Sequence, residues 1–295
     1  MTALNQLDVF NSMQASPNAR LELSATLDTG MAAAVWRNRD DARDYLAPTH
    51  HTLSCYIADG TGTFRRQRPG AKGAPNKLCV MPAGHESNWV VNGAIRLAHL
   101  YVSEEQFALG CVRLLDREPR ELQLHEATFL DDPLQAARFH GLIVLDWQEP
   151  GERLLASSLG QAIIDHALLG QVGLRQGVRL TGGLAPHQRR HLVDYIEAHL
   201  DQPLTLDELA LRCHLSSYHF ARMFRTSFAL PPHRYVLARR LARGCQWLRD
   251  SDLPLGQVAL LCGFASASHF SNRFRAALGA TPSDYRATFR GSRRP

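Results

Sequence analysis

The chain has 295 residues, 45% of them hydrophobic and 21% charged, with a formal net charge of +5. That length is ample for two domains with separate cores. No apolar run approaches the ~20 residues that span a bilayer, and the first ten residues lack the basic patch and apolar stretch of an export signal, so a cytoplasmic protein is expected. 

The first ~120 residues carry short apolar or alternating runs at Met31–Trp36, Thr52–Ala58, Leu78–Met81 and Ile95–Val102. Turn residues at Asp59-Gly60, Pro69-Gly70 and Pro82-Ala83-Gly84 separate them, a spacing that predicts strands of a small barrel or sandwich. From Asp132 the period changes. Pro133–Leu145 and Glu152–Leu169 have apolar residues at helical spacing and offer a surface for self-association. Gly170–Ala185 is rich in Gly and polar residues and reads as a linker; beyond it the chain is helical nearly to its end. Six cysteines stand singly, with no Cys-x-x-Cys pair, and read as reduced, mostly buried thiols.

Charge follows the same division. From Pro186 onward there are 16 Arg, no Lys and 8 acidic residues, a net +8, whereas residues 1–185 sum to −3. A basic C-terminal part beside an acidic remainder fits either a polyanionic partner for the former alone or a solvated basic surface, and the repeat within the basic part favours the partner.

That basic part repeats itself. His219, Phe220, Phe224, Arg225, Pro232 and Tyr235 match His269, Phe270, Phe274, Arg275, Pro282 and Tyr285 at one offset. Upstream, Leu206, Ala210 and Cys213 match Leu255, Ala259 and Cys262 at an offset one smaller, and the extra residue is expected between Ser266 and His269. Each copy reads as helix, turn, helix. Thr205 and Glu208 have the spacing of a reciprocal capping box, and Ser216 or Ser217 and Ser266 stand where the second helices need caps. Phe220, Phe224 and Phe228 mark a buried face and leave Tyr218 and Arg222 together on another. A helix from about His233 to Arg249 joins the copies as a rod, with Arg239, Arg240 and Arg243 off its apolar stripe.

GFASASHFSNRFRAALGATPSDYR, residues 263–286, closely resembles the signature of the AraC/XylS family of bacterial transcription regulators, through Gly263, Phe264, Ser268, His269, Phe270, Ser271, Arg273, Phe274, Gly279, Pro282, Tyr285 and Arg286. The likeness covers roughly residues 187–290. Gly244 departs from it: the family usually has Ala there, and Gly in a helix costs ~1 kcal/mol, a loosened rod. The resemblance implies two recognition helices in successive major-groove faces of promoter DNA, centred about one turn (~34 Å) apart. Carried over by position, the DNA-facing set is Ser217, Tyr218, Ala221, Arg222, Ala267, Ser268, Ser271 and Asn272. Arg225, Arg239, Arg240 and Arg275 are expected at phosphates or in salt bridges at the core edge, and His219 and His269 in packing.

Members of this family usually sense a small molecule, dimerise or do both through the other domain, and they work with RNA polymerase. The stretch Leu78–Glu86 with Trp89 resembles the sensory half of cupin-like members. A cupin metal site would need a His-x-His pair with a Glu and a distant His. His85-Glu86, the lone His99 and the adjacent His50-His51 do not supply it, so no metal and no cofactor are expected. Trp36, Tyr56, Phe64, Trp89 and Tyr101 are the candidate lining of an effector cavity.

The expected architecture is α+β in two domains. Residues 1–175 form a cupin-like barrel or sandwich with dimerisation helices, 176–186 a linker, 187–290 an all-α double helix–turn–helix, and 291–295 a disordered tail. The expected function is that of a homodimeric, effector-responsive regulator, activating more often than repressing by family habit. Two alternatives stand beside it: a constitutive regulator whose N-terminal half only dimerises, and an enzyme (cupin-like, or an alkyl-transfer repair protein) fused to the DNA-binding module. The isolated histidines and scattered cysteines speak against the enzyme.

Overall fold

In the computed structural model the described residues are 4–28, 30–115, 117–175 and 181–291. Part of the expected linker, 176–180, and the tail from 292 lie outside them. The chain forms two compact units: residues up to 110 with 123–174, and residues 111–122 with 175 onward.

The first unit is built on one sheet. Its elements are α1 (Asp8–Gln14), β1 (Ala19–Asp28), β2 (Met31–Leu46), β3 (His50–Asp59), β4 (Thr63–Arg65), β5 (Lys77–Met81), β6 (Glu86–Ser103), the start of α2 (Glu104–Leu115), β7 (Leu122–Leu124), β8 (Ala127–Asp131), α3 (Pro133–Ile143), α4 (Pro150–Gln171) and β9 (Val172–Leu174). The seven-stranded order is β1-β2-β6-β3-β5-β8, with β4 also on β6, and the strands pair antiparallel. The long strands β2 and β6 pair from Met31–Val102 to Leu46–Glu86, broken by an irregularity at Arg39/Asp41 that bends the sheet. The buried Asp41 carboxylate there accepts from the Ser16 hydroxyl (2.8 Å), the Asn38 amide (2.9 Å) and the Ala42 N–H (2.8 Å).

Of the expected barrel or sandwich, the described residues form a sheet-rich unit without a closed barrel. Among the described residues no pairing joins β1 to β8; the sheet is open. Its edge strand β1 is met by α4 instead: the Ser157 hydroxyl donates to the Leu27 carbonyl, and Gly160 lies against Met31 and Leu100. Helix α1, for which the sequence carries no clear period, packs against β1 and β2. Leu7, Val9, Phe10 and Met13 enter one cluster with Trp36, Tyr45, Tyr56, Trp89 and Tyr101. The linker expected from Gly170 starts later, since α4 runs to Gln171 and β9 follows it.

The second unit holds α5 (Pro186–Ala198), α6 (Leu206–Arg212), α7 (Ser217–Phe228), α8 (Pro232–Asp250), α9 (Leu255–Leu261), α10 (Ala267–Leu278) and α11 (Pro282–Gly291). Helix α7 packs on α6, α10 on α9, and the long α8 touches α7, α9 and α11. Residues 111–122 complete this unit, with the turn at Pro119–Glu121 packed on α7.

Candidate nucleic-acid interface

Both copies use the same caps and the same rings. Ser216 accepts from the His219 N–H (3.3 Å) and Ser266 from the His269 N–H (3.1 Å), so each second helix starts at an equivalent serine. Phe224 meets Tyr235 edge-on at 5.6 Å, and Phe274 meets Tyr285 edge-on at 5.4 Å. Phe220, Phe224, Phe228, Phe270 and Phe274 are fully buried, which fixes the rotation of α7 and α10 about their axes.

The turns are equivalent too. The Leu215 N–H donates to the Ala210 carbonyl (3.1 Å) as the Phe264 N–H does to that of Ala259 (2.9 Å). His214 and Gly263 take the same left-handed conformation, φ 54° and 71°. The extra residue is therefore Ala265, before the cap Ser266, and not between Ser266 and His269. A β-carbon on Gly263 would stand 2.1 Å from the Leu200 carbonyl oxygen, so both the conformation and the close approach require glycine. At Thr205 the hydroxyl caps the Glu208 N–H (3.2 Å), but the box is not reciprocal: the Glu208 carboxylate accepts from the Tyr195 hydroxyl.

With the apolar faces inward, the opposite faces carry the candidate readers. Tyr218 is 82% exposed. Arg222, Arg225, Ser268, Asn272, Arg273 and Arg275 are exposed, and Ser217, Ala221, Ala267 and Ser271 half-buried beside them. The Ser217 hydroxyl donates to the Asp207 carboxylate. His219 and His269, expected in packing, are exposed at equivalent positions of the two helices, although His269 keeps an edge contact with Phe264 at 5.5 Å.

The rod arginines are engaged within the protein. Arg239 pairs with the Glu197 carboxylate, and Arg243 donates to the Glu197 carbonyl (3.1 Å). Arg240 donates to the carbonyls of Leu200 (2.9 Å) and Gln202 (2.6 Å), just past the end of α5. They bind the rod to the end of α5, an arrangement with no signal in local sequence. Gly244, read as a weak point of the rod, is where Phe270 comes closest: an added β-carbon would lie 2.9 Å from the ring.

In the first unit, Tyr56 and Trp89 line a hollow of about 40 Å³ with Met13, Tyr45, Cys79 and His99. Trp36 and Tyr101 lie against Phe10, joined by a hydrogen bond from the indole N–H to the phenol oxygen (3.2 Å), and the phenol oxygen also meets the lining residue His99 (3.1 Å). Phe64 is half-buried with the Lys72 ammonium over its ring at 3.7 Å. His50 and His51 are both buried, the first against Tyr101 and the second against Phe107. Among the described residues no helix is long and apolar enough to cross a membrane.

Two helix–turn–helix units on a shared rod, each presenting a polar helix face, define a tandem helix–turn–helix protein. Residues 209–288 match the family described as a helix-turn-helix domain. The regulatory protein SoxS of Salmonella typhimurium is 37% identical over 95 residues, which are 32% of this chain and 89% of SoxS. The HTH-type transcriptional regulator CdhR of Pseudomonas aeruginosa is 40% identical over 126 residues, 42% of this chain and 34% of CdhR. The DNA-binding domain of AdpA, solved with a target DNA, is 31% identical with a TM-score of 0.34, covering 35% of this chain and 94% of that one. The chain belongs to the AraC/XylS family of transcription regulators. It spans about a third of the length of several of the curated relatives it matches.

Proposed function

We propose that the protein is a sequence-specific regulator that binds double-stranded promoter DNA through α7 and α10, each in the major groove. The observation that carries the reading is the duplicated helix with aromatic anchors inward and Tyr218, Arg222 or Ser268, Asn272 outward. An arginine such as Arg222 suits guanine O6 and N7, an asparagine such as Asn272 suits adenine N6 and N7, and Ala221 and Ala267 offer a methyl to thymine. Ser217, Ser271, Arg225 and Arg275 fall to the flanking phosphates and base edges. Arg240 drops out of the contact set, because its guanidinium is committed to two carbonyls.

The finer reading is a homodimer that responds to a small organic effector and activates transcription with RNA polymerase. Tyr56 and Trp89 border the hollow, which at about 40 Å³ has room for water and not for an organic molecule, so an effector bound there requires the site to open. Leu134 and Leu169, exposed on α3 and α4, support self-association there.

Fluorescence anisotropy of the full chain on a promoter fragment tests the DNA reading. Each phosphate neutralised by arginine releases counterions, so log K should fall with log [salt] at a slope of ~−0.9 per contact. A slope near zero ends the nucleic-acid reading.

A further inference from the structure

The second unit is not built from the C-terminal sequence alone. Residues 111–122 belong to it, although the chain on both sides of them belongs to the first unit. At their centre Glu118 is 3% exposed. Its carboxylate accepts from Arg189 on α5 (3.1 Å) and pairs with Arg120. Arg189 is itself buried. Burial pushes the Glu118 carboxyl above its usual range, while the two guanidinium groups pull it back. Such a pair gains little in net stability, and removing one partner strands the other's charge.

The network continues toward α7. Arg120 also donates to the carbonyls of Thr181 (3.0 Å) and Gly182 (3.1 Å). The next two N–H groups reach α7: Gly183 donates to the Met223 sulfur (3.2 Å) and Leu184 to the buried Ser227 hydroxyl (2.8 Å). A β-carbon on Gly183, at φ +86°, would fall 2.4 Å from Arg120 Nη2 and 2.7 Å from Ser227 Oγ, so Arg120, the glycine and α7 are in direct succession. Met223 and Ser227 are on the same helix as Tyr218 and Arg222. Among the described residues, α10 has its Ser266 cap and no tie of this kind to residues 111–122 or 181–184.

We propose that Glu118 and Arg120 are positioning residues for the first recognition helix: through Arg189 and residues 181–184 they set where α7 presents Arg222, while α10 is left to its own contacts. The proposal rests on the DNA-binding reading above. It makes recognition by the first helix–turn–helix depend on a turn that lies, in sequence, inside the N-terminal half. A held element of this kind couples sites with factors of about 5–150.

The test uses the full chain and the duplex obtained by selecting bound sequences with the wild type. Glu118→Gln keeps the shape and removes the charge. It should weaken binding about fivefold or more, with base protection lost over the half-site read by α7 and kept over that read by α10. Amide exchange should quicken at 183–185 and 217–228 and stay unchanged at 267–278. Should Glu118→Gln fold poorly, Ser227→Ala, which removes only the acceptor for Leu184, should give the same one-sided loss. Equal loss at both half-sites, or a folded variant indistinguishable from wild type in protection and exchange, overturns the positioning role. A wild type that selects no duplex instead removes the DNA-binding reading, and this proposal with it; normal wild-type binding beside unaltered variants sinks the positioning role alone.

Discussion

The Phe270 ring lies 2.9 Å from where a β-carbon on Gly244 would stand, so the rod and the second recognition helix meet through a missing side chain. Gly244 is buried in the middle of α8, where glycine by itself costs about 1 kcal/mol relative to alanine. The close packing of Phe270 offsets that cost, since a fully buried phenylalanine contributes about 1.5–3 kcal/mol.

Gly244→Ala is therefore expected to destabilise the protein in spite of its better helix propensity. Overpacking typically costs about 1–3 kcal/mol against a propensity gain of about 1. Urea unfolding of wild type and variant compares the two. A midpoint shifted upward means Phe270 yields freely and the reading of the contact is wrong.

Ala229 ends α7 at φ 58°, and Gly279 ends α10 at φ 74°. The left-handed conformation costs a residue with a β-carbon about 1–2 kcal/mol. Ala229→Gly should raise stability by about 1 kcal/mol and Gly279→Ala should lower it by a similar amount. Two thermal melts decide it, and opposite signs would remove the strain argument.

Arg240 and Arg225 should separate stability from binding. Arg240→Ala leaves the Leu200 and Gln202 carbonyls without their donor and should cost about 1–3 kcal/mol of folding stability. Arg225, exposed on α7, should leave stability nearly unchanged when replaced by alanine and lower the salt slope of DNA binding by about one. If Arg240→Ala instead changes the slope and leaves the melt unmoved, the rod touches phosphate after all.

Arg222→Ala should relax sequence preference at one or two adjacent base pairs, at a cost of about 1–3 kcal/mol. Selection of bound sequences reads this directly. An unaltered motif would leave Arg222 a phosphate contact.

The first unit should weaken in acid. Burial pushes the His99 imidazole down to about 3 and that of His50 to about 4, both from an ordinary 6.5. Between 6.5 and those values the unfolded chain holds more protons than the folded one, so stability falls as pH drops through that window. His99→Gln should flatten the dependence by up to one proton. Unfolding free energies measured from pH 7 to 4.5 that stay level would contradict it.

Legibility in the sequence followed the range of the forces involved. The stripe Phe220, Phe224, Phe228 and its copy Phe270, Phe274 lies on single helices, and the bounds of α7 and α10 could be read from it. Serine caps are equally local, so Ser216 and Ser266 were readable, whereas the Tyr195–Glu208 bond spans two helices and was not. In the first unit the apolar or alternating runs Met31–Trp36 and Ile95–Val102 identified strands, but whether an edge closes on another edge depends on what lies against it, here α4 on β1. Helix α1 is seven residues long, too short for a period to emerge. The close approach to Gly244 comes from a ring 26 positions later in the chain, outside any local propensity.

Residues 111–122 have a further consequence during synthesis. They leave the ribosome well before 175–291, the sequence they pack with. At about 5–20 residues per second, Glu118 waits several seconds for Arg189 while the helices around it are still being made. Residues 123–174, the rest of the first unit, emerge within that interval, so the sequence of the first unit is complete before Arg189 follows. The C-terminal helices then assemble on a piece already synthesised, so the order of translation sets the order in which the two units become complete.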